Sequence, residues 1–347
     1  MRVSADLLKE AAIRILKGLK AGDEEARVVA DALVRADARG IDTHGVHLLT
    51  LMAERVAAGM IRIPTEVRLI SDDAATALLD GGNGLGQLAA RQAMNISIEK
   101  AKTYGLGCCL LRNTNNIGIL SLYSLQAARE RMVGIVMSNA AASMSPWGGA
   151  QAMLGTNPIS IALPGGKEPP VALDMSSTVV ARGKIRRAMR LKEALPQGWA
   201  LDAEGEPTTD ATRALKGTLV PVGGPKGYGL ALAVDLLAGL ISGSKYGPNI
   251  NSFHELKGPT GVGVFTMAID IARFLPYEGF EVLAQSYLAS IKSSKKARGV
   301  TRIYLPGEIE FEKEKASFLE GIEINPALAE KLNQLLAGMG SPIKLEE

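Results

Sequence analysis

The spacing of apolar residues changes at Pro64, and this change limits the possible folds more than any other feature of the chain. Before Pro64, apolar residues recur at helical spacing in two stretches, from Leu8 to Leu19 and from Ala26 to Val34. After Pro64, short runs such as EVRLI and ATALLDG are typical of strands. The pattern predicts an α/β protein with a helical N-terminal part (1–65), a central α/β part (66–275) and a largely helical C-terminal part (276–347) that packs on the first.

A glycine-rich turn at residues 81–86 invites comparison with the dinucleotide-binding fingerprint G-x-G-x-x-G. Gly82 and Gly84 fit its first two positions, but Gln87 stands where the third glycine is needed. The following strand, GLGCCLLR, ends without the acidic residue that would bind a ribose. The sequence therefore predicts that the central part is not a Rossmann domain, and the turn is interpreted as a close contact between helix and strand.

The composition indicates a globular enzyme rather than a nucleic-acid-binding or membrane protein. Of 347 residues, 47% are hydrophobic, and Lys plus Arg total 39 against 36 for Asp plus Glu. The most apolar segment begins at Leu230, is interrupted by Asp235 and is too short to span a bilayer. The N-terminus has no signal-peptide core, so a cytoplasmic location is expected. Cys108 and Cys109 are adjacent in a predicted strand, face opposite sides and are not expected to form a disulfide.

His44 is the best candidate for an acid/base group in a chain with three histidines. Asp42 or Thr43 can cap a helix over residues 46–59, which places His44 at a helix N-terminus. The helix dipole there disfavours the imidazolium and a neighbouring carboxylate favours it, so the residues alone leave the pKa of His44 undecided. Two other interpretations stay open: a histidine that only forms hydrogen bonds in its loop, and a metal site of Asp42, His44 and His47.

Polar residues lie near the ends of several predicted strands, where ligands commonly bind in α/β proteins. The Asn113–Asn116 cluster follows one strand, and a loop with Asn157 and Pro158 precedes another. Such amides either bind a ligand or close their own turns. Asp174 ends the apolar run VALDM, so its carboxylate must be paired, solvated or functional, and it is the preferred partner for His44.

The stretch VGGPKGYGLAL contains the best candidate for an anion site. Backbone N–H groups at the start of a helix, together with Lys226, fit a cofactor pyrophosphate or a substrate carboxylate. The glycine spacing is not that of a P-loop, which argues against ATP chemistry. His254 is interpreted as a surface histidine. A predicted basic helix presents cations to phosphate or to water at Arg182, Lys184, Arg186 and Arg187.

Taken in order, the motifs RGIDTHGV, NTNNIG, PWGG, LGTNPI, DMSS, ARGKI, KGYGLAL and LPGE resemble those of the malate/L-lactate dehydrogenase family of the second, non-Rossmann type. The family includes ureidoglycolate, sulfolactate, diketogulonate and cyclic imino-acid oxidoreductases. The resemblance implies a non-Rossmann nicotinamide-binding sheet domain, a helical domain built from both chain ends, and a homodimer. It also implies hydride transfer between a 2-hydroxy or 2-oxo acid and NAD or NADP, with NAD preferred.

The resemblance assigns a role to each candidate residue. His44 resembles the family's proton donor and acceptor, and Thr43, Asn116 and Asp174 complete the predicted catalytic group. The positions that match cofactor contacts in relatives are Asn139, Thr156, Asn157, Pro158, Met175, Ser176, Ser177, Thr178, Lys226, Gly227, Pro306, Gly307 and Glu308. The positions on the substrate side are His47, Leu48 and Lys184.

Two departures from the family pattern bear on the substrate. Asn116 stands where many relatives have histidine, and an amide can orient a carbonyl but cannot shuttle a proton. Leu48 stands where many relatives have arginine, so a guanidinium that could bind a carboxylate is missing. Either the acid is held by Lys184, Lys226 or His47, or the substrate differs. A cyclic imino-acid reductase and a non-catalytic dinucleotide-binding relative therefore stay open as alternatives.

Overall fold

The computed structural model describes residues 1–346. Glu347, the last residue of the predicted C-terminal part, lies outside the described residues. Within 1–346, every helix lacks the length or the apolar character that crossing a membrane requires.

Residues 1–346 form one large sheet and two small ones. The strands are β1 (Arg2–Val3), β2 (Arg68–Asp73), β3 (Thr76–Asp80), β4 (Leu106–Thr114), β5 (Met132–Ser138), β6 (Ile159–Leu163), β7 (Val171–Met175), β8 (Ala200–Leu201), β9 (Pro207–Thr208), β10 (Thr218–Leu219), β11 (Val262–Asp270) and β12 (Ile322–Glu323).

Helices flank these sheets. They are α1 (Ala5–Gly18), α2 (Asp23–Ala38), α3 (Leu48–Ala57), α4 (Gly86–Tyr104), α5 (Ser121–Arg129), α6 (Arg182–Leu191), α7 (Ala211–Lys216), α8 (Pro225–Val234), α9 (Tyr277–Ser293), α10 (Glu308–Glu320) and α11 (Pro326–Gly338). A 3-10 turn covers Asp42–His44, and a π-helical segment, Asp235–Leu240, continues α8.

The large sheet has the strand order β2-β3-β4-β11-β5-β6-β7 among the described residues. Only β3 and β4 run parallel, and the other neighbours are antiparallel. Because a Rossmann sheet is mostly parallel, the prediction of a non-Rossmann domain is confirmed. Ala93 and Met94 of α4 pack against Cys109 and Leu111 of β4. Both cysteines are free thiols, and only Cys109 is fully buried, as expected for neighbours on opposite faces of a strand.

Helices from both chain ends share one apolar core, as predicted. Leu16 of α1, Leu33 of α2 and Leu49 of α3 belong to the same buried cluster as Leu332 and Leu336 of α11. The strand β1 pairs antiparallel with β12, which joins the two ends again.

One C-terminal helix departs from the predicted arrangement. The sequence predicts that the whole of 276–347 packs on the N-terminal part, but α9 lies beside the loop between β6 and β7. A Cβ on Gly166 of that loop would be 3.2 Å from the carbonyl oxygen of Glu281, and Lys292 binds Glu168 at 3.0 Å. The apolar stripe of a helix predicts that one face is buried, but it does not identify the surface that buries it.

A small unit between β7 and α8 was not predicted. The strands β9, β8 and β10 form an antiparallel sheet, and α6 and α7 share a core with it through Ile185, Ala200 and Leu219. This unit carries the basic helix α6 to the edge of the His44 turn.

Candidate active site

His44 lies on the 3-10 turn and not at the start of α3. The sequence predicts that Asp42 or Thr43 caps a helix over 46–59, but α3 begins at Leu48 and neither side chain caps it. The N–H of Val46 instead donates to the carboxylate of Asp37 at 2.7 Å. The cap prediction is wrong because this acceptor comes from α2, nine residues upstream.

Burial decides the charge of His44. Burial of the ring lowers its pKa to about 4, and the positive charge of His47 acts in the same direction, while Asp42 opposes both. The ring is therefore neutral at pH 7. The Thr43 hydroxyl lies 3.1 Å from Nδ1, which leaves Nε2 without a partner among residues 1–346.

The His254 loop is fixed against α3 by a buried arginine. Arg55 is 1% exposed, and its guanidinium donates to the carbonyl oxygens of Phe253 at 3.3 Å, Glu255 at 2.7 Å and Gly258 at 2.8 Å. The Arg55 guanidinium also stacks over the Phe253 ring, 5.0 Å from its centroid. These contacts hold residues 253–258 beside the helix that follows His47.

The three histidines therefore form one group, which we call the histidine cluster: His44, His47 and His254. The His254 charge lowers the pKa of His44, and partial burial, the Arg186 charge and the His47 charge lower the pKa of His254. His254 is exposed, as the sequence predicts, but it borders the His44 site. No local pattern in the sequence indicates this, because the contact depends on where Arg55 holds the loop.

Asp174 has a different partner from the one predicted. Its Oδ2 accepts the backbone N–H of Ser121 at 2.7 Å, at the start of α5. Burial raises the pKa of Asp174, while the Ser121 hydrogen bonds and the Arg39 charge oppose that effect. Within the described residues, Asp174 forms no hydrogen bond or ion pair with His44. The predicted His44–Asp174 pair is therefore wrong for a single subunit, because β7 directs this carboxylate to the N-terminus of α5.

Asp174 instead lines a cleft that leads toward the His44 turn. The cleft has a volume of about 360 Å³, and Ile41, Ser121, Pro306 and Gly307 line it with Asp174. The carbonyl oxygen of Ile41 accepts the N–H of His44, so the cleft ends one turn from the imidazole. The Ala172 N–H donates to Pro306, which holds the 305–308 turn against β7.

Several other predicted cofactor positions lie together just after the C-terminal end of β7. The hydroxyl of Ser177 donates to the carbonyl oxygen of Thr156 at 2.8 Å, and the N–H of Val222 donates to Ser177 at 2.9 Å. A Cβ on Gly227 would lie 2.2 Å from the carbonyl oxygen of Val222, so only glycine fits where α8 starts. Lys226 is exposed in the first turn of α8 and has no side-chain partner among the described residues. The structure thus brings residues 156–158, 175–178 and 226–227 together.

At three predicted cofactor positions the side chain is already hydrogen-bonded inside the protein. The Asn139 amide donates to Asp235 and Lys245 and accepts from Gly263, and the residue is 2% exposed. Asn157 is completely buried and is hydrogen-bonded to two backbone groups. The Glu308 carboxylate accepts from Lys292, Arg302 and the Leu305 N–H. These side chains shape the loops because their hydrogen-bonding groups are used inside the protein.

The predicted substrate residues differ in whether a substrate can reach them. Leu48 is 2% exposed in the helical core and cannot contact a substrate. Lys184 is exposed on α6, whose first turn lies against the His44 turn: a Cβ on Gly183 would be 3.4 Å from Cγ2 of Thr43. The Asn116 oxygen accepts the Gly118 N–H at 2.9 Å, while its NH₂ group has no partner among the described residues.

Comparison with known proteins places these features in one family. The sequence profile of the malate/L-lactate dehydrogenases matches residues 3–333. A malate dehydrogenase from Pyrococcus horikoshii is 38% identical over 98% of this chain and 96% of its own. The solved sulfolactate dehydrogenase of Methanocaldococcus jannaschii superposes with a TM-score of 0.93 at 36% identity, over 99% of this chain and 98% of its own.

Relatives differ in the cofactor that their names specify. An Escherichia coli relative, 34% identical over 87% of this chain and 86% of its own, is a ureidoglycolate dehydrogenase that uses NAD(+). A Chromohalobacter salexigens relative, 34% identical over 81% of this chain and 86% of its own, is a (2R)-3-sulfolactate dehydrogenase that uses NADP(+). The cofactor of such proteins is thus a nicotinamide dinucleotide of either kind.

Proposed function

The chain belongs to the malate/L-lactate dehydrogenase family, and we propose that His44 exchanges the proton in its reaction. The protein is an oxidoreductase that transfers a hydride between a nicotinamide cofactor and a 2-hydroxy or 2-oxo acid. The observation that supports a proton-transfer role is the neutral, half-buried imidazole of His44, whose Nε2 has no partner among residues 1–346 and which follows Ile41 of the Asp174 cleft by three residues.

The residues around His44 suit oxidation of an alcohol at neutral pH. When bound, the nicotinamide ring accepts or supplies the hydride. The Thr43 hydroxyl orients the imidazole through Nδ1, so Nε2 takes the proton of the substrate hydroxyl and returns it in the reverse direction. We assign to the Asn116 NH₂ group, which has no partner among the described residues, a hydrogen bond to the same substrate oxygen. Proton transfer and orientation by these side chains each lower the barrier.

The Asp174 cleft and, separately, the start of α8 carry groups that suit different parts of a dinucleotide. The Asp174 carboxylate, which accepts the Ser121 N–H, lines the cleft and would also accept a ribose hydroxyl. Lys226 and the first N–H groups of α8 provide donors and positive charge for the pyrophosphate. A carboxylate beside a ribose repels a 2′-phosphate, so NAD is the proposed cofactor over NADP.

We assign binding of the substrate's anionic groups to Arg186 and the histidine cluster, because Leu48 is buried and apolar and cannot bind an anion. Arg186 is exposed on α6, has no ion-pair partner among residues 1–346, and its charge acts on His254. Lys184 is also exposed, in the first turn of α6 that lies against Thr43. The charges of Arg186 and Lys184 make this side of the His44 turn electropositive, which favours an acid over a neutral alcohol.

A substrate panel tests the proposed function. Each candidate substrate is assayed with NAD and with NADP, oxidised for a hydroxy acid and reduced for an oxo acid or an imine. The candidates are lactate, malate, sulfolactate, the corresponding 2-oxo acids and a cyclic imino acid. We expect turnover of at least one 2-hydroxy acid, followed by nicotinamide absorbance at 340 nm. Turnover of the cyclic imine alone would favour the reductase alternative, and tight dinucleotide binding without any turnover would favour a non-catalytic relative.

Replacing Arg186 with glutamine should weaken substrate binding more than it slows chemistry. We expect the KM for a dicarboxylate such as malate to rise about tenfold, because a charge-assisted hydrogen bond is lost, with a smaller change for lactate. Arg187→Gln is the matched control, since Arg187 is the neighbouring exposed cation and does not act on His254. Equal effects of the two substitutions would remove Arg186 from the binding site.

The proposed assembly is a homodimer. The α8 helix and the π-helical segment expose Leu232, Leu236, Leu240 and Ile241, with 37 to 62% of each residue accessible. An apolar face of this kind is typical of an interface between subunits. Sedimentation equilibrium should give twice the chain mass of 36.6 kDa, and a monomer at micromolar concentration would contradict the proposal.

A further inference from the structure

The His44 turn depends on a carboxylate that stands apart from the reacting groups. Asp37 lies in the last turn of α2, and its Oδ2 accepts the N–H of Val46 at 2.7 Å. Val46 is completely buried, so this hydrogen bond satisfies a backbone group that water cannot reach.

The contact between Asp37 and the turn is also a close packing contact. A Cβ on Gly45 would lie 1.8 Å from Oδ1 of Asp37 and 2.2 Å from its Cγ, so the carboxyl occupies the space where a larger residue would stand. Gly45 follows His44 directly. The Asp37 carboxyl therefore contacts both residues that come after the imidazole.

The charges around Asp37 do not stabilise an ionised carboxylate at this end of α2. The C-terminal end of a helix carries negative partial charge, which repels an acidic side chain. The charged group that acts on Asp37 is Asp42, which has the same sign. The nearby cations Arg35 and Arg39 bind Glu314 instead. Within residues 1–346, Asp37 has no ion-pair partner.

We propose that Asp37 is a positioning residue for His44: its carboxyl fixes the His44–Val46 backbone so that the imidazole faces the substrate. This inference rests on the proposed role of His44. Burial raises the pKa of Asp37 to about 7. An ionised carboxylate accepts a stronger hydrogen bond than a protonated one, so the turn becomes firmer as the pH rises through this value.

The test compares three variants in the oxidation direction. Asp37→Ala removes the acceptor, and we expect kcat to fall about 10- to 100-fold, because the imidazole is misplaced, with little change in the KM for NAD. Asp37→Asn keeps an oxygen that accepts from Val46 and should stay within about threefold of the wild-type kcat. Asp31→Asn is the control. Asp31 lies on the same helix and pairs with Lys9 at 2.5 Å, and its substitution should leave kcat and the KM for NAD unchanged.

The pH profile separates positioning from a general structural role. The wild-type profile of kcat/KM should show one step near pH 4, from His44, and a second step near pH 7, from Asp37. The asparagine variant should lose only the second step, because its amide does not titrate. A wild-type kcat in a folded alanine variant, or a persistent step near pH 7 in the asparagine variant, would overturn the proposal. If the alanine variant does not fold, the asparagine profile decides.

Discussion

Replacing His44 with alanine lowers the kcat for 2-hydroxy acid oxidation by about a thousandfold, the range expected when a positioned general base is removed. The substituted enzyme should still bind NADH with nearly unchanged affinity, because the cleft around Asp174 and Gly307 does not include the imidazole. Stopped-flow measurement of nicotinamide absorbance gives the hydride-transfer rate, and NADH fluorescence gives the affinity. A hydride-transfer rate equal to the wild-type rate would exclude His44 as the proton acceptor.

The pH dependence provides a second test of the same assignment. A base must be neutral to accept a proton, and burial lowers the pKa of His44 to about 4, so the base stays active well below pH 6.5. In the Asp37→Asn background, kcat/KM should fall only as the pH drops through about 4, measured in pH-jump assays that keep acid exposure brief. His254→Ala is the comparison: it should raise the KM for the acid and move this acid limb slightly to higher pH, because the His254 charge lowers the pKa of His44.

Much of the architecture is predictable because it follows from local pattern. Strand β7 matches the apolar run VALDM, and α8 begins at Pro225, where glycines and proline mark a helix start. The broken glycine motif correctly excludes a Rossmann sheet. In each case the decisive signal, periodicity or a turn residue, lies within a few residues of the element.

The arrangement of the site is less predictable because it depends on contacts between distant segments. His254 borders His44 because Arg55 binds a loop about two hundred residues later in the chain. The N–H of Val46 donates to Asp37 of α2, and the predicted caps Asp42 and Thr43 are not used. Asp174 binds the start of α5 and not the imidazole. Residue types identify candidates for chemistry, whereas only the packed chain shows which candidates have a partner already.

The junction between the two chain ends should depend on one buried ion pair. Glu314 of α10 accepts from Arg39, directly after α2, at 2.9 and 3.0 Å and from Arg35 of α2 at 2.7 Å, and the Arg39 side chain is 2% exposed. Glu314→Gln keeps the shape but leaves a buried guanidinium without its charge partner. We expect the free energy of unfolding, measured in urea, to fall by about 3 kcal/mol or more.

Glu320→Gln is the matched control for this substitution. Glu320 binds Arg2 at 2.9 Å and also joins α10 to the N-terminal region, but the two side chains are 63% and 60% exposed. Because water solvates both charges after the pair is broken, the loss should be below about 0.5 kcal/mol. Equal losses in the two variants would mean that the C-terminal helix is attached to α2 by general packing, and that the buried charge at Arg39 is solvated or compensated by other groups.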